Sequence, residues 1–444
     1  MSDMKPKTPV DKLPNEILAD IFVICLEEEE GVAFPITASH VSRYWRTVSL
    51  GTPALWSRIS VSLLQRPLLD IYLTRSSSQS LDIVLRFNLP ETWRYGGTDS
   101  ELISLPDYRQ RIVVTMSHSI TRHIGRCRSF AFTADNPQVT GTVLRSLENV
   151  AAPQLTSLCL EFSLRILRNV FGGGTPLLST LSLTSVWYSD PWVVPLLPHL
   201  TFLTLKTTPD MPKLSDRDFC KLLAECPLLR QLSLDGIPFT TLVASLSPNT
   251  SRGAHLAFLQ SLNISHFTLL PFDTRACASR LSQILSIPQL ESLSFSNSSQ
   301  GLVSSFVDGI MITNLDREWA PNLTSLSLVD VQISRPAAIS LARCFSRIRE
   351  LKLIGKSPYS ALLSSVIPGN GHDAMWPELK VLTLARTMTT WSQLSDLLLN
   401  RNRIGFPLQR VRIDRYGYWT GDGVPGVPTE IELFHPLSPQ FMTA

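Results

Sequence analysis

The sequence predicts an α/β solenoid, a stack of repeats whose parallel strands line one concave face. Three observations predict it. An eight-residue pattern, P-x-L-x-x-L-x-L, stands as PQLTSLCL from Pro153, PLLSTLSL from Pro176, PHLTFLTL from Pro198, PLLRQLSL from Pro227, PQLESLSF from Pro288, PNLTSLSL from Pro321 and PELKVLTL from Pro377. Three further copies lack the proline but keep the apolar spacing: Leu259, Leu262, Ile264; Ile348, Leu351, Leu353; and Leu408, Val411, Ile413. The ten copies recur every 22 to 33 residues, a solenoid period, and helix-like segments fill the spacers between them.

Each part of the repeat has a physical reason. The L-x-L tail alternates apolar and polar residues, so it reads as a short strand burying one side chain in two. The first leucine, three residues earlier, turns into the same interior. Proline suits the approach to the strand because it has no N–H to give a ladder. In the spacers, LSDRDFCKLLAEC from Leu214 offers Ser215 as an N-cap and puts Phe219, Leu222 and Leu223 on one face. TRACASRLSQIL from Thr274, RPAAISLARCF from Arg335 and WSQLSDLLL from Trp391 have the same character. A strand, a helix and a return to a neighbouring parallel strand resemble a leucine-rich repeat. No unit buries its own apolar edge, so stability comes from stacking.

With 444 residues the chain exceeds one ordinary core, which fits an open-ended repeat. A net charge of +3 over that length points to neither nucleic acid nor a membrane surface as partner. No apolar run is long enough to span a bilayer. The N-terminal run ILADIFVICL is interrupted by Asp20, followed by Glu27–Glu30 and lacks a small-residue cleavage site, so it is not read as a signal peptide. The seven cysteines are odd in number and form no C-x-x-C pair, which fits a reducing intracellular compartment, cytoplasmic or nuclear.

In chain order, residues 1–10 read as a disordered tail. Residues 11–58 read as a small helical domain. Pro14, Asn15 and Glu16 suit a helix start, Ile17, Ile21 and Ile24 make one apolar row, and Leu18, Phe22 and Cys25 make another. Two rows on one short helix imply both an internal core and a partner. A second helix is expected after Pro35, with Thr37 as N-cap and Ala38, Val41, Trp45 and Val48 on one face. Thr52 and Pro53 start a third, with Leu55 and Trp56 inward.

Leu13-Pro14, Glu16-Ile17-Leu18, Ile21-Phe22, Val41, Trp45-Arg46 and Leu55-Trp56 together resemble the F-box in its fungal F-box-like form. The resemblance implies a three-helix module that docks onto the Skp adaptor of a cullin–RING ubiquitin ligase. It carries adaptor contacts over to Leu13, Pro14, Ile17, Leu18, Ile21, Val41 and Trp45. Alternatively these are core residues of a helical cap; that weighs more for Trp45 and Trp56, contact more for Leu13, Pro14 and Leu18. The link EEEEGVAFPI is longer and more acidic than the short link of many F-boxes. Short strands with spacers of variable length likewise resemble the irregular repeats of F-box proteins.

Residues 59–150 read as degenerate repeats joining that domain to the array, with ISVSLL, LDIVLRF and RSFAFT as strands and LLDIYLTRS and RQRIVVTMSHSITRHI as helices. Residues 151–415 are the leucine-rich repeats, and 416–444 a C-terminal cap and tail containing one more alternating strand. Segments from Glu91, Ser296 and Gly355 read as protruding loops.

Little chemistry is on offer. The eight histidines form no H-E-x-x-H, and Cys220 and Cys226 have no partners at zinc-ligand spacing, so no metal and no cofactor is expected. Gly421, Gly423 and Gly426 match GxGxxG, but Pro425 lies inside the match. Gly172-Gly173-Gly174 reads as a helix stop. What remains is the strand face. Its exposed centre is the x of each L-x-L: Cys159, Ser182, Thr204, Ser233, Asn263, Ser294, Ser327, Lys352, Thr383 and Arg412. Phe202, Gln231, Asn263, Arg349, Lys352, Arg410 and Arg412 are the candidate residues for binding a substrate protein. The late basic residues suit an acidic or phosphorylated segment, or serve solubility alone. The expectation is a non-catalytic receptor of an SCF-type ligase; the alternative is a repeat scaffold outside any ligase.

Overall fold

The computed structural model describes residues 13–28, 33–88, 106–162, 169–185, 193–208, 213–240, 253–266, 271–298, 300–313, 319–356, 359, 362–363, 375–414 and 428–434. The expected tail at 1–10, the GxGxxG glycines and most of the loops from Glu91 and Gly355 lie outside the described residues. The chain divides into two compact units, Met1–Leu196 and Leu197–Ala444.

The first unit opens with helices α1 (Asn15–Glu28), α2 (Phe34–Val41) and α3 (Arg43–Gly51) and a 3-10 turn, Pro53–Trp56. Strands β1 (Arg58–Ser62), β2 (Leu81–Arg86), β3 (Cys127–Thr133), β4 (Ser157–Glu161) and β5 (Thr180–Thr184) follow, each parallel to the next. Helices α4 (Arg66–Arg75), α5 (Pro106–Thr121) and α6 (Pro137–Ser146) are crossovers between them. Parallel strands need such crossovers, and here they build an α/β solenoid.

The second unit repeats the scheme with β6 (Phe202–Lys206), β7 (Gln231–Asp235), β8 (Ser261–Ser265), β9 (Ser292–Ser296), β10 (Ser325–Val329), β11 (Glu350–Ile354), β12 (Val381–Ala385), β13 (Arg410–Asp414) and β14 (Glu430–Phe434). All pair in parallel, in that order. Its helices are α7 (Asp216–Ala224), α8 (Pro271–Ile284), α9 (Gln300–Thr313), α10 (Arg335–Cys344) and α11 (Trp391–Arg403). Ser215 caps α7 by accepting the Asp218 N–H at 3.1 Å. Two short parallel pairs, Leu214–Ser215 with Phe239–Thr240 and Ala254–His255 with Leu285–Ser286, form a second layer that the sequence did not announce.

The repeat pattern becomes a backbone device. In each proline-containing copy the first leucine N–H donates to the carbonyl just before the proline, as Leu155 to Ala152, Leu229 to Cys226 and Leu323 to Ala320. The proline therefore occupies the second position of a β-turn, where its fixed φ is already correct. Leu259 makes the same bond to Leu256 without a proline. The leucines then stack in register, Leu203 on Leu232, Leu232 on Leu262 and Leu262 on Leu293, and all are buried. Seven strands are followed directly by a residue of positive φ: Ser185, Gly236, His266, Asn297, Asp330, Gly355 and Arg386. At Gly355 (φ 104°) a Cβ would also collide with the Asp330 carboxylate, so only glycine fits.

Four expectations need correcting. The helix expected after Pro35 is two helices, broken at Ser42, which is extended (φ −153°, ψ 169°). Its hydroxyl accepts the Trp45 N–H at 3.1 Å, so Ser42 rather than Thr37 is the cap. The segment from Ser296 gives way to α9 from Gln300, because Leu302, Val303, Phe306 and Val307 are buried along one face. Gly172-Gly173-Gly174 ends no described helix; a Cβ at Gly173 would strike the Ala151 backbone, so these glycines permit close chain approach. Helix α6 was not foreseen, although Asn136, accepting from Gln138 and Val139 N–H, and Pro137 at the first position form a proper helix start.

Candidate functional site

The N-terminal bundle has a well-made interior. Leu18, Phe22 and Leu26 occupy the inward face of α1 and are buried, as are Ala38, Val48, Leu55 and Trp56. The Phe22 ring centroid lies 4.8 Å from Trp45 and 5.9 Å from Phe34. Trp56 Nε1 donates to Ser49 O at 2.9 Å, and Arg46 Nε to Ser39 O at 2.9 Å. Tyr44 Oη donates to Leu13 O, which ties the chain before α1 to α3. The bundle is also fastened to the repeats of its own unit. Trp56 packs on Tyr72 at 5.0 Å, the Arg75 guanidinium sits 4.4 Å above its ring, and Arg58 reaches Leu26 O at 3.1 Å.

The other row of α1 points outward. Ile17, Ile21 and Ile24 are 47%, 40% and 56% exposed, and Val41 at the end of α2 is 58% exposed. Of the expected contact residues, Pro14 is exposed and Leu13 and Trp45 are half-buried. Leu18 differs: at 1% exposure it belongs to the core, because it lies one position round the helix from Ile17. Contact through Leu18 would require the bundle to open. Ile24 and Leu50, exposed and apolar, join the surface set instead.

On the strand face, register aligns Thr204, Ser233, Asn263, Ser294, Ser327, Lys352, Thr383 and Arg412 in one row. Phe202 is 45% exposed beside half-buried Gln231. The expectation of an exposed centre fails at Ser294, Ser327 and Thr383, which are buried and whose hydroxyls have no hydrogen-bond partner. Ser294 and Ser327 are register partners flanked by the larger Asn263 and Lys352, and Thr383 sits between Lys352 and Arg412.

The basic residues are not a bare cationic patch. Arg410 Nε lies 2.9 Å from Glu430 and Arg412 Nε 3.0 Å from Glu432. Glu350 lies 3.7 Å from Arg412 and 3.9 Å from Lys352, and Glu378 pairs with Arg349 at 3.0 Å. Of these glutamates the sequence points only to Glu350, beside Arg349 near the centre of the face; Glu378, Glu430 and Glu432 went unnoticed in it. The signal was present, since EIELF alternates like RVRI, but only the parallel register places Glu430 opposite Arg410 and Glu432 opposite Arg412. Among the described residues no group of three or more His, Cys, Asp or Glu side chains is placed to hold a metal ion.

Residues 10–62 match the family model described as F-box-like. A comparison with curated proteins finds no match. Among solved structures, the yeast complex of Rad7 and Elc1 is similar at 13% identity and a TM-score of 0.35, over 83% of this chain and 88% of that one. At that score the likeness transfers neither fold nor function. The segment from residue 10 to 62, with its filled core and exposed isoleucine row, is an F-box-like domain at the head of this chain.

Proposed function

We propose that the chain is a substrate-recognition subunit of an SCF-type (Skp–cullin–F-box) E3 ubiquitin ligase. The F-box-like domain holds the Skp adaptor, and the strand face of the repeats holds a substrate protein. The observation that carries this reading is the row Ile17, Ile21 and Ile24, exposed on a helix whose other row already fills the core. Leu13, Pro14, Val41 and the outer edge of Trp45 complete the adaptor surface, with Leu18 supporting it from within. Phe202, Gln231 and Asn263 form the substrate surface with Arg349, Lys352, Arg410 and Arg412; an exposed aromatic ring is a common anchor at such interfaces. On this reading the chain is not an enzyme, uses no cofactor, and works inside the cell, in cytoplasm or nucleus, on proteins rather than nucleic acid or membranes. No described helix is long and apolar enough to cross a membrane.

The test is co-purification of the full chain with the Skp adaptor, beside an Ile21→Asp variant. Capture that the variant loses supports the receptor reading. A folded chain that captures no adaptor leaves the alternative, a repeat scaffold capped by an F-box-shaped bundle.

A further inference from the structure

Helices α5 and α6 of the first unit flank an open groove of about 440 Å³. Cavities of this size hold small molecules. Gln110 Nε2 donates to Thr142 Oγ1 at 2.6 Å and Thr121 Oγ1 lies 3.2 Å from Ser146 O, so the helices run in the same direction and both end at one mouth of the groove. Val114, 49% exposed, lies towards the other end. From Val114 to Arg122 the groove follows about 12 Å of helix.

Three features of its lining are unexplained by the fold. Arg122 and Arg145 stand at the mouth, exposed, and neither guanidinium makes an ion pair or hydrogen bond among the described residues. Among the described residues no carboxylate lines the groove. Of its four hydroxyls, Thr121 donates to Ser117 O, Thr142 to Gln138 O and Ser146 to Val143 O. The fourth, Ser117, is 3% exposed, and its Oγ has no partner. A buried hydroxyl left unbonded costs about 1–3 kcal/mol unless something else satisfies it.

The charge at the mouth sets the class of ligand. Two helix C-termini together amount to about one negative charge, and two guanidiniums carry two positive ones. The surplus is about one positive charge, with the His118 imidazole also in the lining, which matches a monoanion. We propose that this groove binds a small amphipathic carboxylate. Its carboxylate pairs with Arg122 and Arg145, and its apolar body lies towards Val114. The site is independent of the adaptor and strand surfaces.

The test is calorimetric titration of the full chain with octanoate, with octanol as uncharged counterpart and octyl phosphate as dianion. Octanoate is expected to bind saturably and about tenfold more tightly than octanol, the value of one charge-assisted arginine contact. Arg122→Gln and Arg145→Gln should each weaken octanoate by about that factor and leave octanol unchanged. Both arginines are exposed, so circular dichroism of the variants should match the parent. Equal affinity for octanol and octanoate, tighter binding of octyl phosphate, octanoate binding indifferent to both substitutions, or no saturable heat with any probe would overturn the proposal.

Discussion

Ile21→Asp separates surface from core in the F-box-like domain. Ile21 is 40% exposed and its neighbours in the row are 47% and 56% exposed, so a partner covering the row buries about half of each side chain. Full burial of an isoleucine contributes about 1.5–3 kcal/mol, so each exposed half contributes about 1 kcal/mol. Aspartate removes that term and sets an unpaired carboxylate against an apolar partner, for a total loss of about 3 kcal/mol. That is about two orders of magnitude in Kd. The free chain should hardly notice, since surface substitutions shift stability by about 0.5 kcal/mol or less. Leu18→Asp is the instructive contrast: at 1% exposure it buries a charge beside Phe22 and loses binding by unfolding the bundle. Titration calorimetry against purified adaptor, with urea melts of both variants, reads the difference. Ile21→Asp binding as tightly as the parent, or melting as early as Leu18→Asp, would refute the division into rows.

Three further outcomes follow from the packing. Trp56→Ala should destabilise the first unit by about 3–5 kcal/mol, and Trp56→Phe much less, because the ring joins the bundle to Tyr72 and Arg75; urea melts read both. Gly309→Ala should cost about 1–3 kcal/mol, since its Cβ would strike the Ser279 carbonyl and the Ser282 hydroxyl where α9 crosses α8. Burial pushes the Cys127 and Cys226 thiols up to about 12 and Cys344 up to about 11. An unfolded thiol ionises near about 8.5. Between those values the folded chain keeps protons that the unfolded chain has lost, so stability should fall as pH rises above about 8.5. A flat urea midpoint between about pH 8 and 10 under reductant would contradict that sign.

The array was legible because one local rule is repeated. An apolar residue, mostly leucine, at every inward position and a proline in the turn before seven of the ten strands suffice to locate every strand from β4 to β13, since register between repeats follows from the stacking of those side chains. The domain at the head of the chain was legible as two apolar rows, but which row faces inward was not. Ile17 and Leu18 are adjacent and equally apolar, and only the packing of Phe22 on Phe34 and Trp45 decides between them. The break at Ser42 was hidden because Ala38, Val41, Trp45 and Val48 keep helical spacing across it. The groove between α5 and α6 was invisible for another reason: α6 is short, carries Gly141 and Thr140, and announces itself only through Asn136 and Pro137.

The strand face shows how register changes a functional reading. Taken singly, Arg349, Lys352, Arg410 and Arg412 invite an acidic segment. Placed in register, they meet Glu350, Glu378, Glu430 and Glu432, and the eight charges cancel. Such exposed pairs each contribute only about 0–1 kcal/mol to stability, so they hold the side chains loosely. Their effect on a distant ligand is nevertheless complete, because a neutral patch does not steer charge. A polyglutamate peptide should therefore bind the parent chain weakly, and a Glu430→Gln, Glu432→Gln double variant should bind it more tightly, with a steeper dependence on salt. Fluorescence anisotropy of a labelled peptide reads both. If the parent binds polyglutamate as tightly as the double variant does, the arginines act on ligands despite their partners and the acidic-segment reading stands. If only the variant binds, the parent face selects its substrate by shape and short-range hydrogen bonding around Phe202, Gln231 and Asn263.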